Sequence, residues 1–454
     1  MSNLVKSHYT GMDLDHLQSI GNDILIEAKR QGADSAETGI SVDGGLSITA
    51  RLGDVETIEH HRSQGVGVTV YFGRSKGSSS TTDLTPSAIV ETVKAACWIA
   101  KFSADDEYNG LPDKTLLVTN FPDLDLYHPW ELSADQAIDL AIKCENVARE
   151  FHPDINNSEG ASVTTHHGVQ VLANSLGFNH GYPVSRHSIS CCVLGQRGKS
   201  MQRDYWYTVA RDRTEMETSE AVGQKAAERT LKRLNGCSLS TRQCPVLFAP
   251  EVAAGLLGHF IGAVKGTSLY RKSSFLLDSL GKQIFPPHIH IHEQPHLKKA
   301  LGSVPYDGEG VATKNRDIVK DGKLESYVLS TYSARKLSMQ STGNAGGVHN
   351  LTIDTGKLDQ TDLMRQMGRG LLVTEVMGQG VNLVTGDYSR GASGFWIENG
   401  EIQYPVEEIT IAGNLQDIFK NIVAVGRDID FRGNIRTGSI LVEEMTVAGS
   451  ADGG

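Results

Sequence analysis

The stretch at residues 386–413, GDYSRGASGFWIENGEIQYPVEEITIAG, constrains the fold more than any other part of this chain. Two alternating segments, 392–397 and 401–406, flank the dipeptide Asn399-Gly400. Asn-Gly favours a type I′ hairpin turn, because both central residues must take positive φ. A β-hairpin is therefore expected here. Glycine this dense, beside Asp387, Tyr388 and Arg390, marks a backbone that other chain approaches closely.

Periodicity orders the remainder. Residues 14–33 have helical spacing through Leu17, Ile20, Ile24, Ile26 and Ala28, and Gly32 supplies a stop. Over 36–77 the pattern becomes strand-like. GISVDGG reads as a hairpin signal, SITARLGDVETIEHH holds a Gly-Asp turn, and 66–71 alternates toward a buried strand. Thr85-Pro86 opens a second helix with the stripe Ile89, Val93, Ala96, Cys97 and Ala100. Residues 111–130, rich in Pro and Asp, read as a linker. Ser133 and Gln136 then form a capping box before the helix through Ile138, Ile142 and Val147. Strands are expected at 162–171, 186–194 and 204–210, and a helix at 219–234.

A boundary is expected near 236–243. Beyond it the chain reads as strands and Gly-rich turns, with helices at 251–264 and 361–368 and a second hairpin at Lys320-Asp321-Gly322-Lys323. No short tandem repeat is visible. The expected class is α+β: an N-terminal mixed sheet-and-helix domain at 1–236, with sub-regions at about 1–110 and 131–236, followed by a β-rich C-terminal domain at 243–450.

At 454 residues, with roughly 100–200 residues per domain, each of two to four domains has ample core. The net charge of −11 argues against a general nucleic-acid binder, which needs a basic field for phosphates. Residues 2–13 are polar, so no signal peptide is expected, and no apolar run approaches the ~18–20 residues that span a bilayer. The chain reads as cytoplasmic, with no membrane contact. Its six cysteines, Cys97, Cys144, Cys191, Cys192, Cys237 and Cys244, contain no CxxC pair and read as reduced packing residues. None follows Cys244.

His292-Glu293-Gln294-Pro295-His296 spells H-E-x-x-H. In a zincin one helical turn puts both histidines on one face and lets the glutamate activate the metal-bound water. Pro295 opposes that, since an interior proline costs a helix ~3 kcal/mol. The preceding HIHIH alternates with period two, and a strand would place His288, His290 and His292 on one face about 6.5–7 Å apart. Two readings follow: a cluster able to catch zinc or nickel, or a solvated edge strand that happens to be histidine-rich. The motif itself reads as coincidence.

Several longer stretches resemble one family: TVYFGRSKGSSSTTDL, PDLDLYHP, SLYRKSSFLLDSLGKQI, TYSARKLSMQSTGNAGGVHN, VTEVMGQGV and the hairpin above. Through essentially its whole length the chain is similar to the TldD/PmbA metallopeptidase family, closest to its PmbA (TldE) branch. The resemblance implies a cytoplasmic zinc peptidase assembly acting on unfolded peptides, in which a TldD-type chain holds zinc and a PmbA-type chain completes an enclosed substrate channel. TldD-type members carry HExxxH on a helix and a late cysteine. Aligned on GLLGHFIGAVKG, those three positions fall on Gly258, His259 and Ala263, and residues 425–446 contain no cysteine.

The resemblance therefore implies a non-catalytic subunit with no catalytic, metal or cofactor residue of its own. Zinc is expected in a TldD-type partner. A homodimer is expected as an option in isolation. Gly-rich segments 341–347 and 378–394 are candidates to line the channel, with tight β-turns as the competing reading. Arg335, Arg390 and Asp387 are candidates to orient a peptide, with surface ion pairs as the alternative. Two other functions stay open: a self-sufficient metallopeptidase using residues 288–296, and a regulatory factor binding gyrase or a carbon-storage regulator, a role described for the family.

Overall fold

The computed structural model describes residues 13–449; the polar segment from Ser2 and residue 450 lie outside the described residues. Capping decides where the first helices begin. Asp13 caps α1 (Leu14–Arg30) by accepting from the Asp15 N–H, and Gly32 follows with φ 87°. Leu17, Ile20, Ile24 and Ala28 are buried, but Ile26 is 66% exposed because it lies two residues, about 200°, round from Ile24.

Three strands follow, β1 (Ser35–Arg51), β2 (Asp54–Phe72) and β3 (Ser75–Thr81), then α2 (Pro86–Phe102) with proline in its first turn. The expected turn at Leu52-Gly53 is present, with φ of 54° and 85°. The GISVDGG hairpin is not. β1 runs straight through it, pairing Asp43, Gly44 and Gly45 with β2 on one side and with residues 166–168 on the other. These glycines serve proximity instead: a Cβ on Gly45 would overlap the Thr165 carbonyl oxygen and the His61 ring.

After a single 3₁₀ turn at Lys114–Leu116, α3 (Ala134–Glu150) opens on the Ser133/Gln136 capping box. β4 (Ile155–Asn174), β5 (Asn179–Arg197), β6 (Ser200–Ala210) and α4 (Ser219–Arg233) complete this half. Each set reads helix, three strands, helix. The two sets join through antiparallel β1–β4 pairing into one sheet, β3-β2-β1-β4-β5-β6, whose order is symmetric about that seam. All four helices pack on one face, α1 and α2 over one apolar cluster, α3 and α4 over another.

The C-terminal half holds β7 (Arg242–Phe248), α5 (Pro250–Val264), α6 (Gly266–Tyr270), β8 (Ile291–Glu293), β9 (Arg316–Lys320) and β10 (Lys323–Leu324). These are followed by α7 (Thr331–Lys336), β11 (Leu351–Ile353), α8 (Gln360–Met367), β12 (Gly370–Met377), β13 (Asp387–Glu398) and β14 (Glu401–Asn414). The last elements are α9 (Leu415–Lys420), β15 (Ile422–Val425), β16 (Ile435–Arg436) and β17 (Ile440–Ala448). Asn399 and Gly400 take φ of 54° and 75° between β13 and β14, as a type I′ turn requires. The larger sheet runs β14-β13-β12-β7-β17-β15, and a further β14–β17 pairing curls it back on itself. A small sheet, β10-β9-β8-β11-β16, lies over the same core, around Phe248, Phe260, Phe285 and Phe419. The α+β class holds.

Polar straps join the halves. The Arg211 guanidinium donates to the carbonyls of Ala300, Leu301 and Ser185. Arg335 donates to those of Tyr108, Gly110 and Leu111, and Tyr332 Oη donates to Asp106 at 2.6 Å. In α4, Gly223 packs where any Cβ would overlap the Cys144 carbonyl of α3. Forcing these helices apart costs about 1–3 kcal/mol. Gly223→Val is expected to lower the urea midpoint by that much at unchanged slope, measured by far-UV circular dichroism.

Candidate functional site

The histidine-rich segment separates as strand geometry requires. β8 covers only Ile291–Glu293, so neighbouring side chains point to opposite faces. His292 faces outward beside Asp354, while Glu293 is buried at 2% exposure. The Glu293 carboxylate accepts from Arg316 Nε at 3.0 Å, Asn344 Nδ2 at 2.9 Å and the His349 N–H at 2.5 Å. His296 Nε2 meets Thr313 Oγ1 at 3.0 Å. No zincin helix forms at these residues, and Glu293 has no free lone pair for activating water.

Two expectations about this segment need correction. β8 is not an edge strand; it lies between β9 and β11. Nor do three histidines share a strand face, because His288 is an exposed turn residue ahead of the strand. The cluster that does form is His290, His292 and Asp354.

The helix expected to carry a family metal centre is α5. Gly258 and Ala263 offer no donor. His259 rests edge-on against Tyr388, 6.0 Å between centroids, and burial with nearby Arg390 lowers its pKa. One imidazole is not a zinc site, which needs three or four protein donors. Packing reinforces this. A Cβ on Gly258 would meet only Ile435 Cδ1 at 3.9 Å, but Ala263 is wholly buried, so no imidazole fits there without repacking the core. Zinc does not fit this helix.

The largest concavity is a cleft of about 1190 Å³ between the two halves. Its floor is the sheet face opposite the helices. Two cross-strand rows build it: Ser80, Gly67, Gly39 and Leu172, then Gly65, Ser41, Gln170 and Tyr182. Residues one step along each strand, Ile40, Val66 and Val171, turn into the core. Small side chains lower the floor, and the exposed Gln170 amide stands on it. The opposite wall comes from residues 301–308 and 345–349.

That wall is held from below by Glu293. It grips the His349 N–H and Asn344, whose side chain also donates to the Gly347 carbonyl. His349 is 9% exposed, burial lowers its pKa, and its buried Nε2 has no hydrogen-bond partner. It enters the cleft as a neutral imidazole with one unused nitrogen. Asp307 fixes the adjoining turn by accepting from the N–H groups of Glu309, Val311 and Ala345; burial pushes its carboxyl up to about 7 against that pull.

The other candidates serve this scaffold. Arg335 straps the 111–130 segment, Arg390 donates to the Met377 carbonyl, and Asp387 accepts from Thr385. Of the glycine-rich segments, Gly346 lines the cleft and none of 378–394 does. Sequence reading missed His349 and the floor rows. GNAGGVHN held the signal for the first, but one histidine among sixteen carries no address until the fold supplies it.

Comparison with known proteins agrees with this architecture. Residues 36–100 match PmbA/TldA metallopeptidase domain 1, 127–234 the central domain and 241–449 the C-terminal domain. The chain is 52% identical to the metalloprotease PmbA of Escherichia coli O157:H7 over 92% of its length and 93% of that protein. It is 49% identical to the PmbA homologue of Haemophilus influenzae over 94% of each. A Bacteroides thetaiotaomicron structure, solved as a candidate modulator of DNA gyrase, superposes with a TM-score of 0.91 at 27% identity, covering 96% and 99% of the two chains. TldE of Thermococcus kodakarensis shares the fold, with a TM-score of 0.84 at 20% identity over 95% and 100%. This chain belongs to the PmbA/TldD metallopeptidase family. Within it, the chain falls in the PmbA branch.

Breaking a buried ion pair by removing one partner typically costs about 3–5 kcal/mol. Glu293→Ala is therefore expected to lower unfolding free energy by that amount, measured by urea denaturation, because Arg316 is left buried and unpaired. A glutamate acting only on a metal-bound water would leave stability unmoved.

Proposed function

We propose that this chain is the non-catalytic, PmbA/TldE-like subunit of a cytoplasmic zinc metallopeptidase. A TldD-type partner supplies the catalytic zinc. This chain supplies part of the enclosed channel through which unfolded peptides reach it, for degradation or maturation. The observation that carries the proposal is α5, with one donor at three ligand positions and no space at Ala263. In support, the cleft exceeds the ~300–1,000 Å³ of small-molecule pockets and suits an extended chain. The separation of Glu293 from His292 and His296 weighs against self-sufficient hydrolysis. In isolation the chain pairs with a second copy of itself, taking the place of its relative.

Alone, the chain is expected to cleave no unfolded peptide such as reduced casein; with a TldD-type chain it supports cleavage that EDTA abolishes. Robust EDTA-sensitive proteolysis by the isolated chain would overturn the proposal. His349→Ala in the assembled complex is expected to raise the peptide KM about fivefold, equivalent to one hydrogen bond of ~1 kcal/mol, with zinc content unchanged. Sedimentation of the isolated chain is expected to give a dimer that the partner converts to a mixed pair.

A further inference from the structure

We infer that His290, His292 and Asp354, with Asp317 behind them, form a binding site for a divalent transition-metal cation such as zinc, separate from the cleft. The side chains come from three adjacent strand positions. Asp317 lies on β9 opposite His292, His290 and His292 lie on or beside β8, and Asp354 follows β11, its N–H donating to the His290 carbonyl.

The hydrogen bonds do not close without a further positive charge. His290 Nε2 is 2.9 Å from Asp317 Oδ1, and His290 Nδ1 is 3.0 Å from Asp354 Oδ2. A neutral imidazole carries one N–H, so it satisfies one of these carboxylates and turns a lone pair toward the other. His292 repeats the conflict: its Nδ1 is buried, makes no hydrogen bond, and lies 3.4 Å from Asp354 Oδ1. Two imidazole nitrogens and one carboxylate converge, with all three ligand atoms within 4.8 Å of one another. Adjacent ligands on a tetrahedral zinc lie about 3.3 Å apart, close to the two Asp354 distances.

Asp317 completes the chemistry. Accepting from Nε2–H, it fixes the His290 tautomer that presents Nδ1 as a ligand, the carboxylate–histidine–metal relay found behind many zinc ligands. Two imidazoles and a carboxylate select a first-row transition metal over magnesium, which prefers oxygen and near-octahedral water. Partial exposure of His290 and Asp354 gives the ion a path. With Glu293 facing the opposite side, the site holds strands together and does not activate water. A proton on His290 is the competing occupant of the same gap.

The test uses the purified full chain, stripped with EDTA and titrated with zinc chloride, with magnesium chloride in parallel. One zinc per chain is expected at micromolar affinity, together with an upward thermal shift. His290→Ala and Asp354→Asn are expected to abolish both, and Asp317→Asn to weaken affinity about tenfold at the same stoichiometry. Cobalt(II) is expected to give a visible d–d band that His292→Gln removes. Zinc binding unchanged in His290→Ala and Asp354→Asn, both folded by circular dichroism, would overturn the inference. So would magnesium binding as tightly as zinc, or no zinc bound below millimolar concentration.

Discussion

Glu293 is the interaction on which the functional half of this structure depends. A carboxylate at 2% exposure persists only if its lone pairs are filled, and here Arg316, Asn344 and the His349 backbone fill them. Those three groups sit on β9 and in the loop before β11, segments with little apolar content of their own. Arg316, itself deeply buried, spends its other N–H groups on Ser326, the Tyr327 carbonyl and Asn344. A glycine-rich loop that would otherwise sample many conformations is thereby fixed, with His349 at the cleft. The residue that looked like a zincin base is the anchor of a wall.

That wall has meaning only against the sheet floor it faces. The floor rows are small or polar because the helices need the alternate residues for the core, a division that strand periodicity imposes. Placement of wall over floor falls to the straps of Arg211, Arg335 and Tyr332, which bind mostly to backbone carbonyls. Guanidinium-to-carbonyl bonds tolerate changes in the contacted side chains, so the cleft can keep its shape while its lining varies.

Much of the fold was legible in the sequence, and the reasons for the exceptions are physical. The Asn399-Gly400 turn, the Ser133/Gln136 box and the Leu52-Gly53 turn were readable because each is set by residues within a few positions. The VDGG segment misled because glycine answers two needs alike, positive φ in a turn and close approach within a sheet, and only the pairing partner distinguishes them. The internal two-fold of the N-terminal sheet was invisible, since two units can share element order without sharing side chains. In the site, the proline objection to HEQPH was enough to exclude the helix. The partners Asp354, Arg316 and Asn344 lie 23 to 62 residues from His292 or Glu293 by number and meet them only through strand order and loop closure.

The contrast between α5 and the His290 cluster bears on how a metallopeptidase fold can lose its metal. At Gly258 the surface is open, and a side chain could be added with little strain. At Ala263 the space has been taken by the core, so restoring a histidine there means displacing neighbours that are themselves fully buried. Overpacking of that kind costs about 1–3 kcal/mol, a substantial share of the ~5–15 kcal/mol that holds a domain together. Absence of ligands is therefore fixed by packing as well as by sequence. An assembly built from two such related chains can relax selection on one metal helix, let the core close over it, and keep the paired architecture that encloses the peptide.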